Sequence, residues 1–370
     1  MPSNGLFISQ RDFLAESGGG VQLCTREFID VIRAAGVALT VLPFDGDRRL
    51  ATRLLRAVNS SPFVRPFGPD LVPEIKRIAA ETKLDFVFLN QEVLSSLAPL
   101  IRPFLPRSCK IVVLSHGLEH TDLLHNIRLR DRLPISSRTR PSAALLLGRI
   151  LLAEQRYRPA LDGVCAISPF DADLERWLGT RHVTWLPRVL SPQPLAWQPV
   201  AGRLGFVGTL DHAPNLEGLV DILEVMAREA TPSLSVRIVG SSDIGKWLAA
   251  KYKHAEFVGP LSDVALLQEA ASWTAFLHPI FCLPRGASTK LATGLSWQIP
   301  VVTTAFGRRG YVWREGGPLE ADTAEAFVAA CRSLDPATAE KARQDVICAV
   351  ASSPTIDSVA ALMRSFLAKL

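Results

Sequence analysis

Residues 203–240 read RLGFVGTLDHAPNLEGLVDILEVMAREATPSLSVRIVG, and the order of patterns in this stretch decides the fold. Residues 204–207 and 235–239 are apolar runs of strand length, while 215–230 carries apolar residues at helical spacing. Strand, helix, strand in that order is the unit of a parallel sheet. Toward the C-terminus the alternation continues with helix 244–252, strand 256–258, helix 262–271, strand 274–279, helix 288–297, strand 300–304 and helices after Thr323. That regularity predicts a doubly wound sheet. Toward the N-terminus the theme repeats less regularly. Residues 6–9 form an apolar run, Gly18, Gly19 and Gly20 a glycine loop, and 21–35 a helical pattern. Runs at 38–43, 86–90, 110–115 and 163–168 read as strands; 71–82, a stretch from about 142, and 171–178 read as helices. Between Pro187 and Gly202, Pro192, Pro194 and Pro199 interrupt all periodicity, as in a linker. The expected architecture is α/β, with two Rossmann-like domains at 1–190 and 203–352 and a final helix within 353–370 that could pack back on the first. Two such domains facing each other place the carboxyl ends of their strands on a shared cleft.

The totals agree with two domains, because 370 residues exceed what one ordinary core holds. With 48% hydrophobic and 21% charged residues and no low-complexity tract, the chain is globular rather than disordered. Lys and Arg outnumber Asp and Glu by 41 to 36, and the excess is local. The segment from Arg128 to Arg158 holds eight arginines against Asp131 and Glu154, more net charge than the whole chain. It could lie on an anionic membrane surface or be a helix packed on its own domain. Nucleic-acid binding is not expected, since no aromatic platform accompanies the charge. Six scattered cysteines, Cys24, Cys109, Cys165, Cys282, Cys331 and Cys348, form no metal-ligand spacing and read as buried thiols in a reducing compartment. Neither a secretory segment nor a membrane span is expected, because the longest apolar stretch, 142–153, is broken by Arg149. The chemistry implied is cytoplasmic.

Three clusters carry candidate chemistry. Gly18, Gly19 and Gly20 lie between strand and helix, where bare backbone can approach a phosphate; the alternative is a turn of small residues. Phe281-Cys-Leu-Pro-Arg285-Gly286-Ala287-Ser288-Thr289-Lys290 follows a strand, and two cations five residues apart can clamp a diphosphate against the next helix. His116-Gly-Leu-Glu119-His120 matches an inverted zinc-peptidase pattern. That chemistry needs both histidines on one stable helical face, and Gly117 argues against it. A loop histidine over the cleft fits better. Asp171 and Asp173 have a metal-transferase spacing but sit in a first helical turn and read as structural. Glu154, Glu175 and Glu217 read as surface charges.

At this point a family resemblance becomes visible. Gly205-Phe-Val-Gly208-Thr209-Leu-Asp211, then Pro214-Asn215 and a long helix, resembles the opening of the donor domain in family-four, group one GT-B glycosyltransferases. Phe257-Val258-Gly259, Arg285-Gly286 through Lys290, the run Ile299-Pro-Val-Val-Thr-Thr304 and Gly307-Arg-Arg-Gly310 extend the likeness. In the first half, 115–119 and 164–168 are similar to the family's H-N-V-E and V-A-V-S stretches. The resemblance implies a retaining, metal-independent transferase with no cofactor, acting on a nucleotide diphosphate sugar and a glycan or lipid-linked acceptor. It implies His116 near the donor sugar and Arg285 with Lys290 on the leaving diphosphate. Gly19, Gly20, Gly208, Thr209, Val258, Gly286, Ser288, Thr289 and Thr293 would surround the donor, with Glu119 and His120 on the acceptor side. The chain also departs from the family. Its two family carboxylates fall on Arg285 and Thr293, a family arginine on Thr209, and a family glycine on Gln298. A non-catalytic relative that binds a sugar nucleotide or a partner protein is the alternative expectation.

Overall fold

The computed structural model describes residues 3–370 apart from 17, 48, 59–60, 130, 134–139, 230–233 and 242. Its frame is two six-stranded, all-parallel sheets. The first contains β1 (Ser3–Gln10), β2 (Val37–Phe44), β3 (Phe86–Asn90), β4 (Lys110–Ser115), β5 (Gly163–Ala166) and β6 (Val183–Trp185), in the order β2-β1-β3-β4-β5-β6. The second contains β7 (Arg203–Val207), β8 (Ser235–Val239), β9 (Ala255–Gly259), β10 (Ala275–Leu277), β11 (Val301–Thr303) and β12 (Leu319–Glu320), in the order β12-β11-β10-β7-β8-β9.

Helices cover both faces of each sheet, so the strands read as continuous apolar runs rather than alternating ones. In β1, Phe7 packs with Phe28 and Ile32 of the Gly20–Ala34 helix, while its neighbours Leu6 and Ile8 enter a separate core with Ile75 and Leu97. Successive side chains point to opposite faces, and both faces are dry. Each sheet reverses its winding once, between β1 and β3 in the first and between β7 and β10 in the second. Loops diverge at such a point and leave a crevice at the strands' carboxyl ends. The glycine loop follows β1, Gln91 follows β3, Gly208 follows β7 and the 281–290 segment follows β10.

The Ile356–Leu367 helix returns to the first sheet. A reciprocal cap between Thr355 and Ser358 starts it. Val359, Met363 and Phe366 then join the core of Phe28 and Ile32, and Arg364 Nη1 donates to the Ala34 carbonyl at 2.8 Å.

Two expectations about burial fail. Glu154 and Glu175 are fully buried and Glu217 is 13% exposed, because their helices turn these carboxylates toward His120, Arg158 and Arg132 respectively. Arg158, itself buried, pairs with Glu175 at 2.9 Å and with Glu92 at 2.5 Å. The arginine-rich segment is thus partly an internal ion-pair element; Arg132 crosses to Asp221 on the Ala213–Arg228 helix. Five cysteines are buried thiols, but Cys348 is exposed, on the solvent side of the Pro336–Ser352 helix. Arg138 lies outside the described residues.

Candidate functional site

A cleft of about 370 Å³ opens between the carboxyl ends of the two sheets. Two helix N-termini border it: the Gly20–Ala34 helix from the first half, and the Thr289–Ser296 helix from the second. Gly20 lies so close to Thr289 that a Cβ there would collide with the threonine hydroxyl. Each N-terminus presents amide donors and a partial positive charge, an arrangement that favours an anion.

Lys290 stands in the first turn of the second helix, and Gly208 leaves room for its stem, since a Cβ there would meet Lys290 Cε. Its ammonium has no hydrogen-bond or salt-bridge partner among the described residues. Burial lowers its pKa to about 8, against the opposing pull of Asp122. Behind it, His278 Nε2 lies 2.7 Å from Ser288 Oγ and Nδ1 2.9 Å from Thr303 Oγ1. Burial, then Lys290 and Arg309, hold His278 neutral. Arg309 donates through Nη1 to the Phe306 carbonyl at 2.9 Å and through Nη2 to the Arg285 carbonyl at 2.8 Å, while its buried Nε has no partner.

From the first half comes His116, at the end of β4. Asn90 fixes its tautomer: Nδ2 of the amide donates to Ser9 Oγ and Thr25 Oγ1, both at 2.9 Å, so Oδ1 accepts from His116 Nε2–H at 2.8 Å. The Nδ1 lone pair is left as an acceptor. Burial, then the charges of Arg188 and Arg285, bring the imidazole's pKa down to about 3.

The halves touch through a narrow seam. Gly117, with φ +103°, and Gly286, with φ +63°, sit so tightly in it that a side chain on Gly117 would strike the Gly286 amide and one on Gly286 the His116 carbonyl. Both conformations suit glycine alone. Arg285 is the hinge pin of this seam. It pairs with Glu119 and, through Nε, with Asp122 Oδ2 at 3.0 Å, both on the Glu119–Leu129 helix of the opposite half. Burial pushes the Asp122 carboxyl up, but the bond from His212 and the charge of Arg285 outweigh it and hold it at about 2. His125 Nε2 donates to the Leu283 carbonyl at 2.7 Å, and Asp171 accepts from the Gly286 amide at 3.3 Å.

With this geometry in view, comparison with known proteins is direct. Residues 201–335 match the family model described as Glycosyl transferases group 1. Over those residues the chain resembles a group 1 glycosyltransferase, and as a whole it has the GT-B fold. The whole chain superposes on sucrose-phosphate synthase from Thermosynechococcus elongatus with a TM-score of 0.68 and 16% identity, covering 99% of this chain and 98% of that one. It superposes on Anabaena HepE, solved in complex with UDP and glucose, with a TM-score of 0.62 and 14% identity, covering 99% of each. The α,α-trehalose 6-phosphate synthase of Burkholderia multivorans gives a TM-score of 0.62 at 12% identity, covering 100% of this chain and 99% of that one. No curated protein matches the sequence.

The cleft gathers Gly20, His116, Thr209, Arg285, Ser288, Thr289 and Lys290 from the residues singled out in the sequence. Gly19 caps the first helix and Gly208 backs Lys290, each one step behind the wall. Gly286 belongs to the seam. Val258 packs against the core cluster that contains Trp273, and Thr293 Oγ1 donates back to the Thr289 carbonyl at 3.1 Å; neither lines the cleft. Glu119 borders an adjoining hollow of about 480 Å³ with Gln10, Phe13 and Gln91. His120 turns inward, its Nδ1 2.5 Å from Glu154 Oε2.

Four contributors escaped the sequence reading. Asp122 had a signal, lying one helical turn after Glu119. Arg309 stood inside the quoted Gly307–Gly310 motif. His278 ends a buried strand with nothing to mark it, and Arg188 sits in the proline-rich connection.

Proposed function

We propose that the protein is a glycosyltransferase that binds a nucleoside diphosphate sugar with its diphosphate at the two converging helix N-termini and Lys290. It transfers the sugar, with retention at the anomeric carbon, to a hydroxyl of a glycan or lipid-linked acceptor. The observation that carries the reading is the partnerless Lys290 ammonium at that convergence. As the bond from the anomeric carbon to the diphosphate breaks, negative charge grows on the leaving oxygen. Cations already fixed beside it stabilise that charge with little reorganisation. Lys290 and Arg309 supply the charge, and metal-independent transfer follows as part of the proposal. Arg285, held by Glu119 and Asp122, serves to register the halves rather than to meet the phosphate. His116 Nδ1 accepts from a sugar hydroxyl, and the Glu119 hollow receives the acceptor.

Calorimetric titration of UDP into Lys290→Ala tests this. A charge-assisted phosphate contact is worth about 1.5–3 kcal/mol, so affinity falls by roughly one to two decades. Parent-like binding refutes the donor site, and activity abolished by EDTA refutes metal independence. A second reading, a non-catalytic sugar-nucleotide binder, is favoured by the engagement of Arg285 and Thr293 in internal contacts. Thermal stabilisation by UDP-sugars without turnover would establish it.

We also propose that the protein is cytoplasmic and docks on the inner face of an anionic membrane. On the Arg140–Tyr157 helix, Leu145 and Leu152 are exposed beside Arg149 and Arg156. Among the described residues no single helix is long and apolar enough to cross a membrane. Absence of co-sedimentation with phosphatidylglycerol vesicles removes this placement.

A further inference from the structure

Arg188 has no assigned role. It follows β6, where its amide donates to the Gly310 carbonyl at 2.8 Å, and its side chain is 4% exposed. Glu27, on the Gly20–Ala34 helix, takes one edge of the guanidinium: Oε2 accepts from Nε at 2.8 Å and lies 2.7 Å from Nη2. The carboxylate's other oxygen accepts from the Val189 amide at 2.9 Å, so the pair cannot swivel. A guanidinium is planar, and with Nε and Nη2 committed to one edge, Nη1 is directed away from Glu27. Nη1 is buried and has no partner. Orphaned buried donors are rare in folded proteins and call for an explanation.

The explanation lies in what surrounds it. Arg188 lines the same cleft as Lys290, Arg309 and His116. It stands on the N-terminal half, and Lys290 on the C-terminal half. A phosphoryl group has oxygens on several sides and accepts from a fixed, charge-assisted N–H donor more strongly than from a neutral one. Glu27 already neutralises part of the charge, which makes the residue a directed donor more than a bare cation.

We propose that Arg188 is a phosphate-binding residue of the cleft, giving Nη1 to a substrate phosphoryl oxygen from the half opposite Lys290. This rests on the donor-site reading above. The phosphate is either that of the nucleoside diphosphate or one carried by the acceptor, and the two sources are separable.

Removing Arg188 alone would leave the partly buried Glu27 carboxylate without its cation, so the decisive variant is the double Arg188→Gln/Glu27→Gln, which keeps a neutral hydrogen-bonding pair. Glu27→Gln alone keeps the cation, and Lys290→Ala is the control for the site. Each is titrated with UDP by calorimetry, then with glucose 6-phosphate in the UDP-saturated protein, with thermal melts alongside. The expected result is a roughly tenfold or greater loss of UDP affinity in the double variant, with Glu27→Gln binding UDP as tightly as the parent or more so. If UDP binding is kept but glucose 6-phosphate binding is lost, the acceptor supplies the phosphate and the proposal stands. If the double variant binds both as the parent does, or Glu27→Gln loses as much as the double variant, Arg188 is only a structural partner and the proposal is overturned. Loss in Lys290→Ala with no loss in the double variant defeats this inference alone; no loss in either defeats the donor site itself.

Discussion

A single amide decides what His116 can do. Because Asn90 spends both its donors on Ser9 and Thr25, it can only accept from the imidazole, and His116 keeps one free lone pair toward the cleft. With its pKa near 3, the ring stays neutral through the physiological range and accepts a hydrogen bond rather than donating a proton. His116→Ala should therefore leave UDP affinity within about twofold while lowering kcat by roughly tenfold or more, the worth of a hydrogen bond of about 1.5 kcal/mol felt mainly in the transition state. The parent's kcat should show no imidazole titration between about pH 5 and 8. Parallel loss of binding and rate would make His116 a structural residue. At this scale the sequence marked His116, directly after β4, and the 281–290 segment with Arg285 and Lys290 that connects β10 to the next helix. It was silent where the partner is distant in the chain, as Glu27 is from Arg188, or Asp122 from Arg285.

Among elements, the Arg140–Tyr157 helix changed meaning most between sequence and structure. Its arginines look like a solvated or membrane-facing stripe, yet the chain just past its end buries Arg158 between Glu92 and Glu175, and Glu154 bonds His120. No periodicity reveals this, because the ion partners come from three separate segments. Strand and helix positions fared better: the strands at 86–90, 110–115 and 235–239 have the bounds their apolar runs predict. The three-residue β6 and two-residue β12 escaped notice, being too short to carry a pattern. Burial holds the Glu92 carboxyl well above its usual range even beside Arg158, so it bears a proton more readily than a surface glutamate. Glu92→Gln should then cost no more than about 1 kcal/mol. Arg158→Met strands two acidic groups and should cost about 3–5 kcal/mol, read as a lowered midpoint in urea unfolding. Comparable costs for the two variants would show that the cluster is not built around the arginine.

At the scale of the whole molecule, both winding reversals open on one cleft, and the βαβ reading of 203–240 led directly there. What the sequence could not show is how firmly the halves are registered across it, by the facing glycines and by Arg285. The last helix ties them further. Val359, Met363, Phe366 and Leu367 are buried in the first half's core. At about 1.5–3 kcal/mol each, their burial rivals the roughly 5–15 kcal/mol that holds a typical domain folded. Deleting residues 353–370 should leave a protein whose first half exchanges its amide hydrogens freely while the second stays protected, measured segment by segment; uniform protection would contradict this. The same helix sets a schedule for biosynthesis. The first half leaves the ribosome early but cannot close its core until the Ile356–Leu367 helix has emerged. At about 5–20 residues per second, that delay is roughly ten to forty seconds. Throughout it, the apolar face of Phe28 and Ile32 lacks the cover that Val359, Met363 and Phe366 give it in the folded protein.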